Sequence, residues 1–113
     1  MTGTEHHAVV SLGGLAAELL EQARDHHSRR GARTIASGTS MRATVIALAE
    51  GAQVAEHDAP AAATLQVLTG QVRLHTEDRE WVLGTGELVP LPPQRHGLTA
   101  LADCAVLLTV ALR

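Results

Sequence analysis

The chain has 113 residues, of which 45% are hydrophobic, and its formal net charge is −3 with histidine neutral. This length suits one domain with a buried core, and the apolar fraction excludes wholesale disorder. The composition also excludes the basic face and aromatic stacking platforms of a nucleic-acid-binding protein, because the chain is acidic and contains one Trp, no Phe and no Tyr.

The distribution of apolar residues excludes a membrane protein as well. No run reaches the ~18 apolar residues that a membrane helix needs. The first ten residues, predicted to be a loose lead-in, lack the basic and apolar regions of a signal peptide. The single cysteine, Cys104, excludes an intrachain disulfide and lies in an apolar stretch, as a small buried residue would. We therefore expect a cytoplasmic location and no membrane or nucleic-acid partner.

Residues 12–30 have the pattern of a helix. Apolar side chains recur at three- and four-residue spacing between Leu12 and Ala23, which makes one apolar stripe. Ser11 can cap the start of this helix, and residues 29–31 offer two arginines and a glycine for its end.

From residue 33 the pattern changes to short apolar runs with turn residues about every 8–12 positions. The predicted strands are 33–36, 41–49, 65–68, 72–75, 81–83, 88–91, 98–101 and 105–112. No helix-length pattern interrupts them, which excludes a parallel α/β sheet and favours a β-sandwich or barrel. We expect a single domain, composed of an N-terminal extension and helix over residues 1–32 and a β-barrel over residues 33–113.

Two glycine-anchored motifs lie in the second half of the chain. Their anchors are Gly51, His57, Gly70, Gly86, Pro92 and His96. In each motif the leading glycine is followed, after five residues, by the next anchor, a histidine in the first and a proline in the second. Over residues 41–112 this frame resembles the cupin superfamily, although the second motif is one residue short and Gln94 stands where glycine is common. The resemblance implies an all-β fold, a double-stranded β-helix or jelly-roll barrel, here preceded by one α-helix.

The metal ligands that the resemblance implies are only partly present. His57 and His96 occupy two of the four ligand positions of the family, whereas Ala59 and Ala63 occupy the other two. Two imidazoles leave most coordination positions to water, while zinc sites and 2-His-1-carboxylate iron sites need three or more protein ligands. One divalent ion (Zn, Fe, Ni or Mn) in an incomplete site and a pocket without metal are both retained as hypotheses.

A third pocket candidate is Gln66, the only polar side chain in the apolar run 65–68. Strand alternation places it on the face opposite to Ala63, and a register shift or a bulge would turn it inward. The alternative is a hydrogen bond across the sheet or to a subunit partner. His75, at the end of a predicted strand, is expected to face solvent.

Three functions are compatible with these residues. The first is a binding protein without catalysis, which holds a small molecule in an aliphatic pocket beside His57, His96 and Gln66. The second is a metal-dependent dioxygenase or isomerase, and the third is a structural or interaction homodimer in which the helix docks on a second subunit. The missing ligand positions favour the first, whether the chain is an enzyme stays undecided, and a homodimer is expected.

Overall fold

One helix and nine antiparallel strands form the part of the chain that the computed structural model describes, residues 9–60 and 62–112. Helix α1 spans Leu12–Asp25. The strands are β1 Arg30–Ser37, β2 Met41–Leu48, β3 Gln53–His57, β4 Ala62–Thr69, β5 Gln71–His75, β6 Glu80–Gly84, β7 Leu88–Pro90, β8 His96–Ala100 and β9 Cys104–Ala111. The predicted all-β class with one N-terminal helix is confirmed.

The strands form two sheets that pack face to face. One sheet has five strands in the order β1-β2-β9-β4-β7, and the other has four in the order β3-β8-β5-β6. Many strands that are neighbours in a sheet are far apart along the chain, as in the jelly-roll barrel. This winding places His57 of β3 opposite His96 of β8.

The space between the sheets is filled almost entirely by aliphatic side chains. Its largest fully buried members include Leu48, Leu65, Leu74, Val67, Val72 and Val106. Cys104 is fully buried in the same cluster, as predicted for a structural cysteine. Burial, with a contribution from the charge of Asp103, raises the pKa of the thiol to about 11. The thiol is therefore protonated near neutral pH and is no nucleophile.

Helix α1 covers the outer face of the five-stranded sheet. Ser11 caps it by accepting a hydrogen bond from the backbone N–H of Gly14. Its stripe of Leu15, Leu19, Leu20 and Ala23 packs on Val45 and Ala47 of β2. The apolar stripe of the helix is thus buried within its own chain, which leaves the exposed face of the helix for the predicted contact with a second subunit. Among the described residues, no helix is long and apolar enough to cross a bilayer.

The prediction that the helix continues to residue 30 is wrong. The helix ends at Asp25 because the next residues make local bonds that compete with helical ones: the Ser28 N–H donates to the ring of His26, 3.1 Å away. Arg29 then turns the chain with a φ of 62°. Gly31 is not a helix terminator, since it pairs with Ala47 inside β1.

The prediction that residues 65–68 and 72–75 form a hairpin is wrong, because β4 and β5 belong to different sheets and do not pair, but the tight turn between them does require glycine. Gly70 has a φ of +92°, a conformation that side chains with a Cβ rarely adopt. A Cβ added there would also overlap the carbonyl oxygen of Asp103 and lie 2.7 Å from Cα of Cys104. The loop before β9 therefore packs directly on this turn.

Asp103 ties helix α1 to the barrel. Its carboxylate accepts one hydrogen bond from the backbone N–H of Glu50 at 2.8 Å and one from Nε of Arg24 at 2.8 Å. These bonds connect the end of α1, the turn after β2 and the loop before β9. The hydrogen bond from Glu50, followed by that from Arg24, lowers the pKa of the Asp103 carboxyl group below its ordinary value of 3.8.

We predict that Asp103→Asn lowers the free energy of unfolding by about 1 kcal/mol at pH 7, because the amide loses the charge that strengthens both bonds. The lowered pKa means that the unfolded chain binds this proton more tightly than the folded chain does. The stabilisation is therefore complete above the unfolded pKa and is lost as the pH falls through the folded pKa. Urea unfolding measured from pH 7 to pH 3 should show the difference between wild type and variant closing.

The control for this experiment is Asp78→Asn, a change in the exposed turn between β5 and β6. It should alter the free energy of unfolding by less than about 0.5 kcal/mol at either pH. A wild-type advantage over Asp103→Asn that is equally large at pH 3 would contradict the role assigned to the carboxylate charge.

Candidate functional site

A β-bulge in β3 turns His57 toward the interior of the barrel. Val54 lies opposite Leu98 of β8, and His57 lies opposite His96, so three steps along β3 match two steps along β8. Strict alternation would place Val54 and His57 on opposite faces, whereas with the bulge both line one cavity. The residue pattern did not predict this strand, because Val54 is the only β-branched residue in Gln53–His57.

Glycine on the neighbouring strand makes room for the bulge. A Cβ at Gly97 would lie 2.8 Å from the carbonyl oxygen of Val54 and 3.0 Å from the backbone nitrogen of Glu56. It would also lie 2.9 Å from Cε1 of His75, on the outer face of the same sheet. The Arg95 guanidinium adds a hydrogen bond of 2.9 Å to the Glu56 carbonyl. Contacts with the neighbouring strand β8 and with the loop before it therefore stabilise the bulge.

The two imidazoles, distant in sequence, meet in space. Their ring centroids are 4.8 Å apart, with an edge-to-face angle of 66°. Nδ1 of His57 lies 3.0 Å from the carbonyl oxygen of Ala55, and Nδ1 of His96 lies 3.0 Å from that of Gln94. A carbonyl only accepts, so Nδ1 carries the proton in each ring and, in the neutral form, Nε2 presents a lone pair. Within residues 9–60 and 62–112, neither Nε2 has a hydrogen-bond partner.

Both rings line a small, otherwise apolar cavity of about 110 Å³. Its other walls are Ile46, Val54, Leu65, Leu91, Leu98 and Leu108. His96 is only 2% exposed, whereas His57, whose ring contacts it, is exposed to solvent. The expected aliphatic lining is present, but it comes from Leu, Ile and Val, and neither Ala59 nor Ala63 borders the cavity.

The donor set of this cavity falls short of a metal site of the usual kind. No group of three or more His, Cys, Asp or Glu side chains converges anywhere in the described ranges. Catalytic zinc takes three protein ligands, and the non-haem iron triad requires a carboxylate. The carboxylate next to His57 in the sequence, Glu56, is directed to the outer face of the sheet, where it pairs with His75.

Gln66 does not join the two histidines. It lies between Leu65 and Val67, which both face the core, and β4 pairs regularly with β9 from Ala62 to Val67. Alternation therefore places Gln66 on the outer face of the five-stranded sheet. The bulge that would have turned a side chain inward occurs in β3 instead of at this position.

His75 also lies outside the cavity. Its Nδ1 is 3.5 Å from Oε2 of Glu56 and its Nε2 is 3.4 Å from Oγ1 of Thr99. All three side chains belong to the outer face of the four-stranded sheet. His75 is 23% exposed, so its ring is half-buried among these neighbours, although it lies on the solvent side as expected.

We predict that Gly97→Ala disturbs the histidine pair by displacing the bulge. The added methyl group meets backbone on β3, and this should lower the free energy of unfolding by about 1–3 kcal/mol, as overpacking does. Histidine ring signals of His57 and His96 in two-dimensional NMR spectra should shift. Gly13→Ala is the matched control, because a Cβ there meets nothing within 4 Å and alanine favours the helix by about 0.5–1 kcal/mol. Unchanged ring signals in Gly97→Ala would contradict the positioning role of Gly97.

Comparison with known proteins supports the fold alone. No protein-family model and no curated protein sequence matches the chain. A cupin-2 domain containing protein from Shewanella frigidimarina superposes with a TM-score of 0.72 at 14% identity, over 96% of this chain and 98% of that one. A cupin superfamily protein from Desulfitobacterium hafniense has a TM-score of 0.69 at 14% identity, over 74% and 78% of the two chains. The polyketide cyclase RemF from Streptomyces resistomycificus has a TM-score of 0.65 at 18% identity, over 74% and 66%.

These proteins share a fold with this chain, but the sequence identities are too low to transfer an activity. The two antiparallel sheets, their winding order and the facing histidines described above agree with the two-motif frame found in the sequence. This chain therefore has the cupin fold.

Proposed function

We propose that the chain binds a small, mainly apolar molecule in the cavity between its sheets, without a resident metal ion. The observation that carries this proposal is the pair of free Nε2 atoms at one end of an aliphatic cavity of about 110 Å³. Apolar walls with a few convergent polar groups are typical of small-molecule sites. The walls supply affinity, and the imidazoles select the polar group of the ligand.

The fixed tautomers define what this polar group must be. Since both Nδ1–H groups donate to backbone carbonyls, the neutral rings offer acceptors to the cavity and no donor. A hydroxyl, an N–H or a protonated acid satisfies them, whereas a ketone or an ether does not. An apolar ligand without a donor leaves the buried Nε2 of His96 unpaired, which reduces its affinity.

The metal-dependent alternative rests on the same hydrogen bonds. A metal-ligating histidine usually donates its other ring nitrogen to a carbonyl or carboxylate, and both rings do so here. The donor set still provides two ligands, one fewer than catalytic zinc or iron requires. This alternative therefore ranks second.

Phenol and toluene provide a matched pair of probes, because they differ by a hydroxyl against a methyl group. We predict that phenol binds about fivefold more tightly than toluene, as one additional hydrogen bond implies. In the double variant His57→Ala/His96→Ala the ratio should fall to about one, since both acceptors are lost. NMR titration that follows the histidine ring signals gives both affinities.

His27→Ala is the control for the phenol measurement, because His27 is an exposed imidazole beyond the end of α1. It should retain the full preference for phenol. Equal affinities for phenol and toluene in the wild type would contradict the acceptor role of the two histidines.

Metal retention separates the two candidate functions. After loading untagged protein with Zn²⁺, Fe²⁺, Ni²⁺ or Mn²⁺ and removing free ions on a desalting column, we predict well under one ion per chain by mass spectrometry. One tightly held ion per chain that is lost in His57→Ala and kept in His27→Ala would overturn the metal-free proposal and favour the enzyme.

A further inference from the structure

A lateral cleft opens where the two sheets differ in width. Arg30, Ala32 and Thr34 of β1 pair with Leu48, Ile46 and Thr44 of β2, so they lie on the face that points to the other sheet. All three are nevertheless exposed. The reason is that the five-stranded sheet has one strand more, and β1 extends past β3, the edge strand of the four-stranded sheet.

The cleft lies next to the histidine cavity and shares part of its wall. It has a volume of about 340 Å³, and its lining includes Ala32, Thr44, Ile46 and Val54. Ile46 and Val54 also line the cavity that contains His57 and His96. These two side chains are half-buried and form the only layer that the cleft and the cavity share. A ligand that moves these two side chains apart would reach the imidazoles from the side of the barrel.

The outer end of the cleft carries an uncompensated positive charge. Arg30 lies at the rim, and its Nη1 donates to the carbonyl oxygen of Gln53, 3.2 Å away, which holds the guanidinium across the gap between β1 and β3. Within the part of the chain that the structure describes, Arg30 has no carboxylate within ion-pair distance, whereas Arg24, Arg33, Arg73 and Arg95 each have one. A guanidinium has five N–H donors in a planar fork, so most remain available to a carboxylate.

Charge and shape together define one class of ligand. From Arg30 to Ala32, which pairs with Ile46, the strand rises by about 7 Å, and over that distance the lining changes from charged to aliphatic. An extended aliphatic chain fits the apolar part, and an anionic head fits the rim. The free Nε2 atoms then lie at the far end of the ligand, where a terminal hydroxyl is favoured over a methyl group.

We propose that the chain binds aliphatic carboxylates, with the carboxylate on Arg30 and the alkyl chain passing Ile46 and Val54 toward His57 and His96. This proposal rests on the proposed function, because it names the ligand class of the same cavity and adds a second polar contact. It assigns to Arg30 the recognition of the anionic group and to β1 the outer wall of the binding site.

Octanoate and methyl octanoate test this assignment, since they share an alkyl chain, and the ester has neither the negative charge nor a donor for the free Nε2 atoms. In isothermal titration calorimetry, octanoate is expected to bind at least tenfold more tightly than methyl octanoate. Arg30→Gln should abolish that preference. The control Arg42→Gln, which makes the same charge change at an exposed position near the far end of β2, should retain it. Octanoate should also shift the ring signals of His96 and compete with phenol.

Each alternative outcome overturns the proposal in a different way. Equal binding of octanoate and methyl octanoate, or a preference that survives in Arg30→Gln, excludes Arg30 as the anion-binding group. Arg30-dependent binding that neither competes with phenol nor shifts His96 excludes the connection between cleft and cavity. Absence of octanoate binding, together with a dimer in light scattering that Arg30→Gln dissociates, assigns the cleft to a second copy of the chain. In all three cases phenol binding separately decides whether the proposed function stands.

Discussion

The bulge opposite Gly97 is the constraint on which the candidate site depends. Without one extra residue in β3, alternation would direct Glu56 inward and His57 outward, and a carboxylate would occupy an aliphatic cavity. The close backbone approach at Gly97 and the bond from Arg95 hold the bulge in place. The pairing of His57 with His96 is therefore a consequence of backbone geometry on two strands, and the imidazoles themselves add only their hydrogen bonds to nearby carbonyls.

The sequence predicted the class of the fold and most of its strands, because short aliphatic runs and glycine turns report directly on antiparallel pairing. It also identified the two histidines through the motif frame. It did not predict β3, in which Val54 is the only β-branched residue, and it extended the helix over residues 26–30, where the bonds between Ser28 and His26 end it. Gln66 was considered for the pocket on the condition of a bulge, and the regular pairing of β4 leaves it outside. Such local departures from regular geometry have no clear signature in a single sequence.

The substitutions at the ligand positions change the chemistry that the cavity favours. With alanine at residues 59 and 63, the two histidines are the only ionisable side chains among the described residues that border it. An acceptor pair in an aliphatic environment suits recognition of a donor on an apolar ligand, and the arginine at the rim of the lateral cleft extends recognition to an anion at the other end. The cavity thus offers hydrogen-bond acceptors at one end of the ligand, and the cleft offers a positive charge at the other. This difference defines the orientation of a bound molecule.

The location of Cys104 has a consequence for the lifetime of the protein. The only sulfhydryl group in the sequence sits at the first position of β9, the strand that pairs with both β2 and β4 in the middle of the larger sheet. Oxidants and alkylating reagents reach it only when that sheet separates from its partner. Any modification there adds bulk where neighbouring atoms are already in contact, so a molecule that has opened and reacted once is prevented from closing again.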